Sequence, residues 1–193
     1  PSMLPNYTPE HIPDGQLSDD ALRAAVNETV SLLNNADRPI LLAGHETTAL
    51  SLTYAFYLLA THPECEARVR EEVAQLGDEL PRASDIARLP YLDAVVRETL
   101  RVYPPVWAIG REVTTAFELG GYPIPAGSQV MTSAYAVHRN PEVFPEPERF
   151  LPERWLDGQL TGLSRYSYFP FGLGPRICIG SHFAKLELSL VLA

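Results

Sequence analysis

Ten residues near the end of the sequence, Phe171-Gly172-Leu173-Gly174-Pro175-Arg176-Ile177-Cys178-Ile179-Gly180, hold a thiol, a guanidinium and three glycines. That set suits a flat ligand carrying a metal. Cys178 stands just ahead of a helix-forming run from Ser181, whose N-terminal dipole favours a thiolate. A thiolate held there by backbone N–H donors is a good axial ligand for haem iron. Glycines let the backbone approach a flat group or take positive φ. Arg176, two residues before the cysteine, can reach a carboxylate on the same ligand. A lone cysteine in a glycine-rich turn is usually a small buried hydrophobe. The register of Phe, two glycines, Arg, Cys and Gly together argues for the ligand.

Other segments offer weaker chemistry. Ala43-Gly44-His45-Glu46-Thr47-Thr48 sets small residues beside an acid and an alcohol in an apolar helix. Small residues leave room against a flat group, and a Thr hydroxyl beside a carboxylate can relay protons. In isolation, a packing glycine and a threonine bonded back into its own helix is the commoner case. A His-Glu-x-x-His zinc helix fails because position 49 is alanine. Glu98 and Arg101, at i and i+3, share a helix face and in most helices would be a surface pair. Here Leu92, Val95, Val96, Leu100 and Val102 leave little polar surface, which favours a buried pair needing further partners. Cys65, between two glutamates, reads as structural; His11, His62 and His182 read as solvated or locally bonded. Gly172-x-Gly174 lacks the third glycine of a dinucleotide loop.

The elements that must position these residues are largely helical. Prolines 1, 5, 9 and 13 mark residues 1–16 as loop. Leu17-Ser18-Asp19-Asp20 opens a helix carrying Leu22, Ala25, Val26, Val30 and Leu33 at helical spacing. Turn formers and Pro39 over 34–39 predict a break. Helices are then predicted over 40–61, over 63–76 with one amphipathic face, and over 90–103 with proline at its start. After Val113 the period changes, and 117–119, 122–124 and 129–132 around Gly120-Gly121 predict short strands in hairpins. Four prolines between Asn140 and Trp155 predict an ordered, irregular loop, and Ser181 to Ala193 is helical again. The sequence contains no internal repeat.

The 193 residues are 46% apolar and 20% charged, sufficient to bury about 70% of the unfolded surface in one core. A net charge of −9 disfavours broad binding to nucleic acid or anionic membrane. Two cysteines exclude a disulfide-dense scaffold and a four-cysteine zinc site. The first residue is proline and no signal region follows, so the chain reads as a piece of something longer, with no transmembrane segment in this part.

With these residues in view, the cysteine segment resembles the haem-thiolate loop of the cytochrome P450 family, Phe-x-x-Gly-x-Arg-x-Cys-x-Gly, met at Phe171, Gly174, Arg176, Cys178 and Gly180. Three more segments match in the family's order. Residues 43–48 resemble its oxygen-binding helix, Glu98-Thr99-Leu100-Arg101 its Glu-x-x-Arg helix, and Phe150 to Trp155 its Pro-Glu-Arg motif. His138-Arg139-Asn140-Pro141 matches a further segment to which no chemistry is assigned.

The resemblance implies the P450 fold, mainly α with small β-sheets (α+β), and only about the C-terminal half of it. Residues 1–193 would form one portion of a single domain: a loop over 1–16, the oxygen-binding helix region with an insertion over 17–61, the Glu-x-x-Arg helix over 90–103, and the meander and thiolate loop over 140–180. The implied cofactor is heme b with Cys178 as iron ligand, lined by Ala43, Gly44, Phe171, Gly172, Arg176, Ile179, Gly180 and Ala184, with Arg111 on a propionate. It also implies Glu46 and Thr47 as the proton-delivering catalytic pair and Glu98, Arg101 and Arg154 as a structural triad. Val106, Trp107, Ala108 and Ile109 would contact substrate.

The implied activity is monooxygenation of a small apolar organic substrate by O2, in the cytoplasm, with electrons from a ferredoxin, flavodoxin or flavin reductase. Arg149, Arg165 and Lys185 are candidate docking cations for that donor. Alternatives are a peroxide-driven or rearranging haem-thiolate enzyme, or a truncated, non-catalytic haem-binding piece. One departure stands out: about a dozen extra residues, including Pro39, precede the Ala-Gly-x-Glu-Thr segment.

Overall fold

The computed structural model describes residues 38–193 apart from 78, 79, 157, 159 and 161, and describes side chains from Leu42 onward. The predicted first helix and most of the predicted break at 34–39 lie outside the described residues. The chain divides into two compact units, Pro1–Ala43 and Gly44–Ala193; the architecture below is that of the second.

Helix α1 (Arg38–Thr61) crosses the division and ends at His62-Pro63, where proline starts helix α2 (Pro63–Ala74). Arg38 and Pro39 open α1 because its first turn needs no proline N–H, so the helix begins two residues before the predicted start. The third helix, α3 (Pro90–Val102), forms the centre. Ten of its residues are buried, and Leu92, Val95 and Tyr91 pack with Leu58 and Leu59 of α1 and Cys65 and Val69 of α2. Its start is capped from another helix. Leu89 at the cap position has no side-chain acceptor, and Glu72 of α2 instead takes the N–H groups of Tyr91 at 2.8 Å and Leu92 at 2.9 Å.

Beyond α3 lie strands β1 (Ala108–Glu112), β2 (Phe117–Leu119), β3 (Tyr122–Ile124) and β4 (Gln129–Ser133). They form two separate antiparallel ribbons, β1 with β4 and β2 with β3. The sequence predicted β2 to β4 and predicted no strand before Val113, where β1 lies. Its pattern is unreadable in isolation because Gly110 interrupts it, and the strand exists through pairing with β4 some twenty residues on. A one-turn helix α4 (Ala134–Val137) follows at once, capped by Ser133, whose hydroxyl accepts the Ala136 N–H.

The proline-rich segment 140–155 is irregular, as predicted, until a single 3-10 turn at Pro152–Trp155. Arg68 of α2 lies 3.9 Å over the Tyr91 ring and pairs with Glu153, which ties that turn to both helices. Helix α5 (Ser181–Leu192) closes the chain, packing Leu188 on Val96 and Leu100 of α3. No described helix is long and apolar enough to cross a membrane.

Candidate functional site

Phe171 anchors the cysteine loop by packing against Val96, Leu100 and Leu188, beside Leu52 of α1. Its carbonyl accepts the Cys178 N–H at 2.9 Å, closing the loop on itself. Gly172 and Gly174 make the turn with φ of +76° and +73°, a region costly for other residues. A Cβ at Gly172 would also come within 3.3 Å of Ile109 Cδ1, so β1 and the loop meet through a position that only glycine fits without displacement. Residues 174–176 form a 3-10 turn, and Ile177 N–H returns to the Gly174 carbonyl.

Cys178 is a free, exposed thiol between Ile177, half exposed, and Ile179, 88% exposed. A Cβ at Gly180 would sit 3.9 Å from Sγ, so glycine keeps that flank of the sulfur open. Ala184 N–H bonds the Gly180 carbonyl in the first turn of α5, where the half-exposed Ala184 and the exposed Phe183 border the loop. Lys185 Nζ lies 5.7 Å over the Phe171 ring. Arg176 is exposed and its guanidinium has no hydrogen-bond partner among the described residues. Cys178 lines neither of two clefts of about 710 and 530 Å³, which border α2; its face is open apolar surface.

The second constellation is buried. Glu98 and Arg101 are fully buried and Arg154 nearly so. Glu98 Oε1 accepts from Arg101 Nη2 at 2.8 Å, Arg154 Nε at 2.9 Å and the Leu151 N–H at 3.0 Å. Its Oε2 accepts from Arg101 Nε at 2.9 Å and Trp155 Nε1 at 2.8 Å. Two cations face one anion, and carbonyl dipoles take up the excess. Arg101 donates to the carbonyls of His138, Pro147 and Arg149, and Arg154 to those of Pro145 and Glu146. Glu146 holds a left-handed φ of 50°, which turns its carbonyl towards Arg154.

Trp155 and His138 were not singled out by sequence reasoning. Trp155 adjoins Arg154 and differs from other apolar residues in its N–H, the only signal available. His138 is fully buried. Its Nε2 accepts the Phe169 N–H at 2.9 Å, and its ring lies 5.1 Å from Tyr168 and 5.3 Å from Phe169. Burial foremost, then the positive charge of Arg101, lowers its pKa to about 4. Burial likewise raises the Tyr168 phenol and the Cys65 thiol, so Cys65 remains a neutral packing group.

The remaining predicted residues are placed as follows. Gly44, His45 and Glu46 are exposed on the first half of α1; Thr47 is half-buried, with its carbonyl accepting the Ser51 hydroxyl at 2.8 Å. A Cβ at Gly44 would meet nothing within 4 Å. Ala43 lies on α1 at the end of the first unit. Val106 and Trp107 are exposed ahead of β1, where Ala108 and Ile109 are half-buried. Arg111 is exposed on β1 and donates to the carbonyl of its neighbour Gly110. Arg149 pairs with Glu146, and Arg165 bonds the Tyr166 hydroxyl.

A buried two-arginine cluster and an exposed cysteine on a glycine-built loop thus occur together in a helical fold with small antiparallel ribbons. The cytochrome P450 family model matches residues 17–193, and the chain belongs to that family. Among curated relatives, it is 42% identical to cyclooctat-9-en-7-ol 5-monooxygenase of Streptomyces melanosporofaciens over 93% of its length and 40% of that protein's. It is 46% identical to cyclooctatin synthase of the same organism over 80% of its length and 34% of the relative's, and 40% identical to mouse cytochrome P450 4V2 over 78% and 29%. The chain thus spans about a third of the length of the relatives it matches.

Membership of the family implies a haem held by a cysteine thiolate, and the residues present fit one. No three His, Cys, Asp or Glu side chains converge as a metal site among the described residues. The cleared flank at Gly180 and the uncovered apolar residues beside the Cys178 sulfur suit a flat group carrying a metal.

Proposed function

We propose that this chain is the proximal, thiolate-bearing part of a haem monooxygenase that inserts one atom of O2 into an apolar organic substrate with electrons from a redox partner. The observation that carries the reading is the exposed Cys178 thiol on a loop where Gly180 keeps one flank of the sulfur clear. Haem, when bound, supplies the dioxygen-activating and oxygen-transferring chemistry. Cys178 would hold its iron, with Phe171 and Gly172 shaping the loop, Gly180, Ile179 and Ala184 beside the sulfur, and Ala43 and Gly44 as small residues of α1 that would leave room against a flat group. Arg176 and Arg111 are the propionate candidates; Arg111 would first leave the Gly110 carbonyl.

Glu46, exposed to solvent, would take up a proton there, and Thr47 would pass it on through its hydroxyl. Val106, Trp107, Ala108 and Ile109 supply apolar contacts that orient substrate and exclude water. Substrates of the class named by the first relative, an apolar cyclic alcohol, fit that lining. Lys185, beside Phe171, is the donor-docking cation nearest the loop, whereas the charge of Arg149 is matched by Glu146.

The test is the ferrous–CO spectrum of the haem-loaded protein. A red-shifted Soret band that Cys178→Ser abolishes is expected; a band unaffected by that substitution overturns the assignment.

A further inference from the structure

His138 belongs to neither the thiolate loop nor the Glu98 cluster, yet it is bonded to both. Its backbone carbonyl accepts Arg101 Nη1 at 2.9 Å. Its Nε2 accepts the Phe169 N–H at 2.9 Å, two residues before Phe171, whose carbonyl holds the Cys178 N–H. The ring is fully buried between Tyr168 and Phe169. We propose that His138 is a positioning residue for Cys178, the strut through which the buried Glu98–Arg101 pair fixes the entry to the thiolate loop.

The chemistry of the bond requires it. Phe169 is buried, so its N–H finds no water when the acceptor is lost. An accepting Nε2 puts the ring proton on Nδ1, which makes no well-formed hydrogen bond among the described residues. The well-formed hydrogen bond of the ring is the one made to the loop, with the carbonyls of Arg101 and Leu100 of α3 on its other side. A purely space-filling aromatic at this position would leave that geometry unfixed. Packing alone accounts for the burial; it does not account for an imidazole whose Nε2 accepts from the loop backbone.

The inference rests on the haem-thiolate reading only for what the loop carries, and two variants with two readouts keep the questions apart. His138→Gln retains a carbonyl oxygen within reach of the Phe169 N–H; His138→Phe keeps a ring and removes the acceptor. In the haem-loaded protein, His138→Phe is expected to convert part of the red-shifted ferrous–CO band to the unshifted form. Hydrogen exchange at the Phe169 amide should accelerate roughly tenfold or more, while amides of α3 keep their protection. His138→Gln should restore both. An unchanged Phe variant, or equal loss in both variants, overturns the proposal, as does a wild-type Phe169 amide exchanging as freely as an exposed one. If wild type shows no red-shifted band, the haem-thiolate reading fails by itself, and the exchange data still decide whether His138 anchors the loop.

Discussion

Glu98 shows how much a single side chain can organise. One carboxylate accepts five N–H donors from four residues, so replacing it leaves two guanidinium groups buried against carbonyls alone. Breaking a buried pair by removing one partner costs about 3–5 kcal/mol. Glu98→Gln, which keeps the shape and loses the charge, should therefore lower stability by about that much in denaturant titration. Trp155→Phe removes only one donor to a charged acceptor and should cost about 2 kcal/mol. If Trp155→Phe leaves the unfolding midpoint unchanged, the indole N–H is not part of the cluster's support. At this scale the sequence was half legible. Glu98 and Arg101 announce themselves by i,i+3 spacing on an apolar helix, and Arg154 entered through the resemblance. Trp155 and His138 lay in matching segments but carried no assigned role, because their partners lie 57 and 31 residues away and one of those partners is a backbone amide.

Among the elements, α3 does most to set the positions of the others, and its start depends on a residue from elsewhere. Pro90 fixes the first turn but Leu89 cannot cap it, so the carboxylate of Glu72 does, matched to the positive end of the helix. Glu72→Ala is expected to cost about 1–2 kcal/mol, with Glu72→Gln recovering part through its remaining acceptor. Equal stability of Glu72→Ala and wild type would remove the cap from the account. This kind of support explains where sequence reading stopped. Helices over 40–61, 63–76 and 90–103 were legible to within two residues, because proline starts or stops them and apolar residues recur along them. Strand β1 was not predicted, since its stability lies in pairing with β4 and its glycine masks the alternation. The 3-10 turn at Pro152–Trp155 hid in a proline-rich stretch and is stabilised by the Glu98 bonds to Leu151 and Arg154.

For the whole molecule, the linkage between protonation and folding gives a measurable signature. The charged groups facing His138 are Arg101 on α3 and Arg139 just after α4, both repelling a proton on the ring; Tyr168, beside it, is kept neutral by burial. The pKa of His138 is therefore near 4 in the fold, against an ordinary 6.5. Between those values the unfolded chain binds the proton and the folded chain does not. Stability from this residue is complete above pH 6.5 and is lost as pH falls through 4, by about 3 kcal/mol in all. Protonation would also place a second N–H against that of Phe169, so acid should loosen the thiolate loop before it disturbs α1 or α2. Urea midpoints of wild type and His138→Gln, compared at pH 7 and pH 4, isolate the effect, since every other titrating group is shared. The variant should gain about 3 kcal/mol relative to wild type on acidification. A difference that stays constant across that range would show that the folded protein takes up the proton at His138 as readily as the unfolded one, and that the buried imidazole is not the acid-sensitive point of the fold.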